Sequence, residues 1–371
     1  MRALSSLLHA FRAPLAVAAA ASLSVGCGPE FEPASELRGL RVLGVQKDKP
    51  YAQSDETVEL SLLYHDARPK EPDAEQPEIS IAWLTGCWNP AGDLYAGCFA
   101  QFAGGDFGGA APSLEFGDRI SFQTKPGPIQ VRPAPNPDYD LSYVFFAVCA
   151  GTISLDQGST EGLPIRCRDD DGKDLGSRDF VVGYSAVYVF ADGPDGDYVN
   201  RNPAVEGFSF QGEPLAENAR CLGEECLATC SESGSCVQAP PAPIDDCSAA
   251  DMPCVPLAPR VPRCEDDGDP IECPGYDIRP VYSLEEPAEP DAVSNDTYGR
   301  SFGEQMWINY YTTRGSVKSE ARLLNDATKK YNSDFGTEFY APSTPGPVQV
   351  WAVVHDNRGG VSWSGTTLYV E

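Results

Sequence analysis

An all-β chain is predicted, built as two antiparallel β-sandwich domains with the second interrupted by a disulfide-rich insertion. Three observations lead there. Short runs of β-branched and aromatic residues recur between Gly, Pro and Asp, while helical periodicity is weak throughout. The 371 residues exceed what one core usually holds, so two domains are expected. Eight of the 13 cysteines crowd between Cys221 and Cys273, in a Pro-rich stretch with few aromatics. Such a stretch cannot bury a core of its own and needs crosslinks.

Met1 to Arg12 is basic, and Ala13 to Val25 is an apolar run ending in small residues before Gly26-Cys27. That is the layout of a signal peptide over 1–26. The run is too short to span a bilayer, and no later stretch is long and apolar enough for a transmembrane helix. Residues 27–36 hold acids and prolines without periodicity, as a tether does.

The first domain is placed at 37–192. Its strands are read at Leu40–Val45, Thr57–Tyr64, Ile79–Leu84, Arg119–Phe122, Tyr143–Val148 and Ala186–Phe190. Asp192-Gly193-Pro194-Asp195-Gly196-Asp197 is turn-forming and acidic, and marks the junction. The second domain is placed at 193–371. It opens with a strand at Asn202–Phe210 and resumes at Ile278–Leu284, Gln305–Tyr311, Ala321–Leu324, Val348–Val354 and Thr366–Val370. The cysteine-rich insertion occupies 213–276. Val348–Val354 runs into Asp356-Asn357-Arg358-Gly359-Gly360 and then Val361-Ser362-Trp363, which reads as a hairpin. Trp83 and Trp307 each fall in the third strand of their half, and each half has a long apolar strand near its end, suggesting two copies of one module.

Two resemblances sharpen this. Leu23-Ser24-Val25-Gly26-Cys27 resembles a bacterial lipobox, with Ser24 where Leu is commonest, which implies that Cys27 is lipidated and heads the mature chain. Gly28, rather than Asp, implies sorting to an outer membrane. Pro345-Gly346-Pro347-Val348 through Gly359-Gly360, ending Leu368-Tyr369-Val370, resembles the last two strands of immunoglobulin-like or PKD-like domains. The whole layout is similar to bacterial surface lipoproteins with such β-sandwich modules, which makes both predicted sandwiches Ig-like. Thr57–Tyr64 holds no Cys, so the inter-sheet cysteine pair of antibody domains is missing.

With Cys27 given to lipid, twelve cysteines remain, an even number that suggests up to six disulfides in an exported chain. Cys87, Cys98, Cys149 and Cys167 lie in the first half; Cys221, Cys226, Cys230, Cys236, Cys247, Cys254, Cys264 and Cys273 lie in the second. The sets are expected to pair separately. Cys87 with Cys98 and Cys149 with Cys167 are preferred among three pairings, because each pair brackets a Gly-containing loop. Connectivity among the eight is open. There is no C-x-x-C and no His between 66 and 354, which argues against structural zinc and a redox dithiol.

Charge excludes further classes. The chain has 27 Lys and Arg against 55 Asp and Glu, a net −28, so no nucleic-acid partner is expected. A hydrophobic fraction of 42% excludes a fully disordered acidic protein. His65-Asp66 and His355-Asp356 are adjacent pairs at strand ends, whose members point to opposite faces, so neither is a base with its orienting carboxylate. No G-x-S-x-G, Walker A or H-E-x-x-H occurs. No catalytic residue and no cofactor are expected. Ca²⁺ is the one ion left open, by Asp169–Asp174, Glu265–Asp269 and Asp192, Asp195 and Asp197. An EF-hand register would put Cys167 where Asp is needed. Asn295-Asp296-Thr297 fits a glycosylation acceptor by coincidence.

The expectation is a non-enzymatic, lipid-anchored envelope protein that binds a protein or glycan partner at the cell surface, with the insertion read equally as the binding loop or as a crosslinked spacer that binds nothing. A structural component of an envelope assembly is the alternative. A carboxylate-dependent hydrolase is the third reading.

Overall fold

The computed structural model describes residues 33–371 except 69–77, 90–94, 105–113, 127, 132–137, 157–162, 192–197, 216–227, 231–235, 239–258, 266–271, 285–287 and 330. The signal peptide, most of the tether, the 192–197 junction and Cys221, Cys226, Cys247 and Cys254 lie outside the described residues.

The apolar runs of the first half become β1 (Leu40–Lys47), β2 (Tyr51–Gln53), β3 (Thr57–Asp66), β4 (Ser80–Trp88), helix α1 (Gly97–Gly104), β5 (Leu114–Phe116), β6 (Arg119–Gln123), β7 (Tyr139–Cys149), β8 (Thr152–Leu155), β9 (Ile165–Arg168) and β10 (Phe180–Phe190). One sheet has the order β1-β3-β6 and the other β2-β10-β7-β4-β5, with β8-β9 a separate hairpin. Inward residues at every second position, such as Val58, Leu60, Ile81, Trp83, Val144, Phe146 and Val187, fill the space between the sheets. Each such side chain contributes about 1.5–3 kcal/mol on burial.

The second half forms β11 (Val205–Phe210), β12 (Glu213–Pro214), β13 (Ala228–Cys230), β14 (Cys236–Gln238), β15 (Arg260–Val261), β16 (Gly275–Tyr282), helix α2 (Ala292–Tyr298), β17 (Met306–Thr312), β18 (Ser316–Val317), β19 (Ala321–Leu323), β20 (Thr337–Tyr340), β21 (Gly346–Asp356) and β22 (Val361–Val370). Its sheets have the orders β12-β11-β16-β20-β18 and β15-β22-β21-β17-β19, and β13-β14 stands apart. Phe208, Ile278, Ile308, Tyr310, Val350 and Leu368 form its core.

The two sandwiches share one plan. In each, the first long strand pairs with the second in one sheet, β1 with β3 and β11 with β16. A short strand then crosses to the other sheet and runs parallel to the last strand, β2 on β10 and β15 on β22. The remaining pairings are antiparallel, in the strand order of an immunoglobulin-like sandwich.

Two expectations need correction. The insertion does not extend over 213–276. Glu213–Pro214 pairs back on β11 through a turn at Gln211-Gly212, both at positive φ, and the sandwich resumes at Arg260. The interruption therefore falls in the crossover between β12 and β15. Trp83 and Trp307 are not equivalent either. Trp83 is in the core and its Nε1 donates to the Gly117 carbonyl at 2.8 Å. Met306, Ile308 and Tyr310 are the inward residues of β17, so strand parity turns Trp307 outward.

From Ser35 to Glu371 the chain is one compact unit holding both sandwiches. A third apolar cluster joins them: Leu37, Leu43 and Leu63 of the first meet Trp351 and Val353 of the second, flanked by Tyr311, Val361 and Trp363. Both faces of β21 are thus buried, Val350, Ala352 and Val354 in its own core and Trp351 and Val353 against the neighbour. Gly44 permits this approach, because a Cβ there would lie 3.3 Å from Val353 and 3.4 Å from Trp363 and Val361.

Candidate functional site

Two places combine unusual chemistry with defined geometry: an aromatic face on the first sandwich and a charged junction between the sandwiches. The face arises because the β2-β10-β7-β4-β5 sheet is apolar on both sides. Outward residues Leu84, Leu141, Tyr143, Phe145 and Ala147 form a second cluster with Phe102, Ile153 and Ile165. Two covers exclude water from it. The α1 segment is tied to β4 by Cys87–Cys98, and the β8-β9 hairpin is tied to β7 by Cys149–Cys167. These disulfides close the loops bracketed in the sequence, and a third joins Cys264 to Cys273 where the insertion returns to the sandwich. Cys230 and Cys236 occupy paired positions of β13 and β14. Crosslinks of this number are those of an exported chain.

The covers leave part of the row open. Tyr95, just before α1, stacks on Tyr184 of β10 with centroids 4.5 Å apart, and the two are 42% and 46% exposed. Val182, two residues along the same face, is 49% exposed. Tyr184 also meets Tyr143 at 5.8 Å. Four residues on, Tyr188 contacts Tyr139 at 5.1 Å and Tyr51 at 5.0 Å. The strand is held close beneath Tyr184 because residue 183 is glycine: a Cβ there would lie 2.3 Å from the Phe146 ring.

At the far end of that row stands the junction. The β21-β22 turn of the second sandwich reaches the first, placing the Arg358 guanidinium 5.9 Å from the Tyr51 ring. Arg358 is buried. It bonds Glu289 at 2.6 Å, Glu304 at 3.1 Å and the carbonyls of Val199 and Pro290. Burial opposes its charge, but Glu304 and Glu289 more than offset that and hold its pKa above the usual value. Burial pushes the Glu304 carboxyl up, with Arg358 acting against it. Asp356 shapes the turn, its Oδ1 accepting from the N–H groups of Arg358 and Gly360.

From the first sandwich Lys47 enters the same region, its Nζ donating to the Ala186 carbonyl at 2.9 Å. Burial brings its pKa down to about 8, with the Asp356 charge acting the other way. Asn202 links the two, donating to the Lys47 carbonyl and accepting from the Val361 N–H. The Asn200 side chain, Asp356 Oδ2 and Arg358 Nε are buried without a hydrogen-bond partner among the described residues. This polar core is therefore a costly one, and its charges depend on one another.

The sequence-selected acids and histidines are employed elsewhere. Asp169 Oδ1 accepts from the N–H groups of Asp171 and Lys173, and Asp174 pairs with Arg166 and Arg168. Among the described residues no group of three or more His, Cys, Asp or Glu is placed to hold a metal ion. Asp192, Asp195, Asp197 and Asp266 to Asp269 lie outside the described residues. Asn295 is a helix residue whose side chain accepts from the Phe302 N–H. His65 lies against Trp351, with centroids 5.2 Å apart.

His355 stacks on Trp307 at 5.3 Å, and burial lowers its pKa from 6.5 to about 4. The folded chain thus holds it neutral where the unfolded chain takes up a proton, so stability falls as pH drops from 6.5 through 4. The full difference is up to about 3 kcal/mol. Denaturant unfolding at pH 7 and 4.5 should show this loss in the native chain and a smaller one in His355→Phe. Equal losses would show that His355 does not carry it.

Sequence reading found the disulfide ties of the aromatic face but missed Tyr95, Tyr184, Lys47 and Arg358. Alternation along Phe180–Phe190 signals one outward set with Val182, Tyr184 and Tyr188, which was the available clue to the face.

No family model and no curated protein matches this chain. Among solved structures it is similar to dimeric latent PorU from Porphyromonas gingivalis, at 10% identity and a TM-score of 0.19. The match covers 90% of this chain but only 24% of that one.

Proposed function

We propose that the chain is a lipid-anchored cell-envelope protein, held to the outer membrane through Cys27, that binds a protein or glycan partner at the cell surface and performs no chemistry itself. The observation that carries binding is the exposed Tyr95–Tyr184 stack on a face otherwise sealed by disulfide-tied covers. Tyrosine offers large, rigid contact area with a polar tip, and exposed apolar groups of this kind mark interaction surfaces. The apolar contact between the sandwiches supports a second reading, a structural component of an envelope assembly.

Affinity capture from intact cells tests the first. Tyr95→Ala with Tyr184→Ala should reduce the captured partner at least about tenfold, as loss of a binding hot spot does. A chain with the insertion replaced by a Gly/Ser loop should retain it. The reverse pattern would move binding to the insertion, and retention by both variants would favour the structural reading.

A further inference from the structure

Where the tether meets the folded body is fixed. The Thr312 N–H donates to the Ser35 carbonyl at 2.8 Å and the Leu37 N–H to the Thr312 carbonyl at 3.1 Å. Ser35 Oγ lies 3.2 Å from Glu320 Oε1. Ser35 is thereby seated on the second sandwich, although β1, which follows directly, belongs to the first. Eight peptide steps separate Cys27 from Ser35, so the lipidated residue lies no more than about 28 Å along the chain from that point.

We propose that the edge of the second sandwich around Thr312–Lys318 faces an anionic lipid surface. This rests on the lipid-anchor reading and adds to it which side of the molecule the membrane meets. Charge supports it independently. The chain carries −28, so most of its surface is repelled by anionic headgroups. This edge differs: Arg38, Arg41, Arg314 and Lys318 stand there against Glu36, Glu320 and Glu338. Among the described residues Arg314 bonds the carbonyls of Thr344 and Pro345 and the Thr344 hydroxyl, and none of these partners neutralises its charge. Lys318 is well exposed and shared with Glu338 alone among the carboxylates it bonds. A headgroup interaction decays within about 8 Å at physiological salt, and the short tether is what keeps the edge near enough to use it.

The test uses the full lipidated chain on vesicles of phosphatidylcholine containing phosphatidylglycerol, with phosphatidylcholine alone as the reference. Amide hydrogen exchange should slow at 312–318 on the anionic vesicles, and about fivefold of that protection should go with each cation removed. Arg314→Glu with Lys318→Glu should abolish it. Arg314→Gln with Lys318→Gln, which adds no repulsion, should weaken it in part. Slowing confined to the first sandwich, or identical on both vesicles, would overturn the proposal. The intact mass separates this failure from the other: an unmodified Cys27 overturns the anchor reading, whereas a lipidated chain without protection at 312–318 overturns only the orientation.

Discussion

Replacing Arg358 with alanine is expected to destabilise the chain by about 3–5 kcal/mol, because it breaks a buried ion-pair network by removing one partner. Glu304, itself buried, would be left without its cation, Glu289 would keep only the exposed Arg201 among the described residues, and the Val199 and Pro290 carbonyls would lose the Arg358 donor. The loss should be felt mainly as undocking. Arg358 sits on the turn that reaches Tyr51, so the sandwiches would keep their own cores while the contact between Leu43, Leu63, Trp351 and Val353 weakens. Small-angle scattering should show a larger radius of gyration and proteolysis should cut near the junction. Arg201→Ala is the control: its side chain is 78% exposed and pairs with Glu289 at 3.3 Å, so its loss should cost under about 1 kcal/mol. Equal effects of the two variants, or an unchanged scattering profile for Arg358→Ala, would remove the latch role from Arg358.

Loss of the two disulfides of the first sandwich is the other large effect. The bridges close separations of 11 and 18 residues, which the chain-entropy model values at about 3 kcal/mol each. Alanine at Cys87, Cys98, Cys149 and Cys167 should therefore lower the melting temperature sharply. The covers should also lift from Leu84, Tyr143 and Phe145, which belong to the cluster that α1 and the β8-β9 hairpin help to bury. Binding of a hydrophobic dye to the still-folded variant would report that uncovering, and partner capture should fail with it, since Tyr95 is positioned next to α1. A variant with lowered stability but slow exchange over Gly97–Gly104 would show that packing alone holds the cover.

The strands were legible because β-branched and aromatic runs such as Thr57–Tyr64 and Tyr143–Val148 are interrupted by turn residues at sheet spacing. The two disulfides of the first sandwich were legible for a related reason, as each pair brackets one loop. What sequence pattern does not carry is which partner a second apolar face will meet. Val348 to Val354 alternates little, as suits a strand buried on both sides, but nothing in it names Leu43 and Leu63 as the neighbours of Trp351 and Val353. Lys47 and Arg358 read as ordinary surface cations, since their burial comes from residues distant in sequence. Trp307 was misassigned because a strand position was matched without its parity, and Arg260–Val261 escaped notice because two residues are too few for a pattern.

The position of the interruption sets what the scaffold can tolerate there. In the first sandwich the crossover from β1 to β2 is made by Asp48, Lys49 and Pro50 alone, whereas the corresponding crossover of the second holds everything from Leu215 to Pro259. Both ends of that segment are fixed by strand pairing to one sandwich, β12 on β11 and β15 on β22. For such a closed loop each doubling of length costs only about 0.6 kcal/mol. The length of this crossover is thus nearly independent of the stability of the scaffold beneath it, and replacing it by a shorter loop should leave both sandwiches folded.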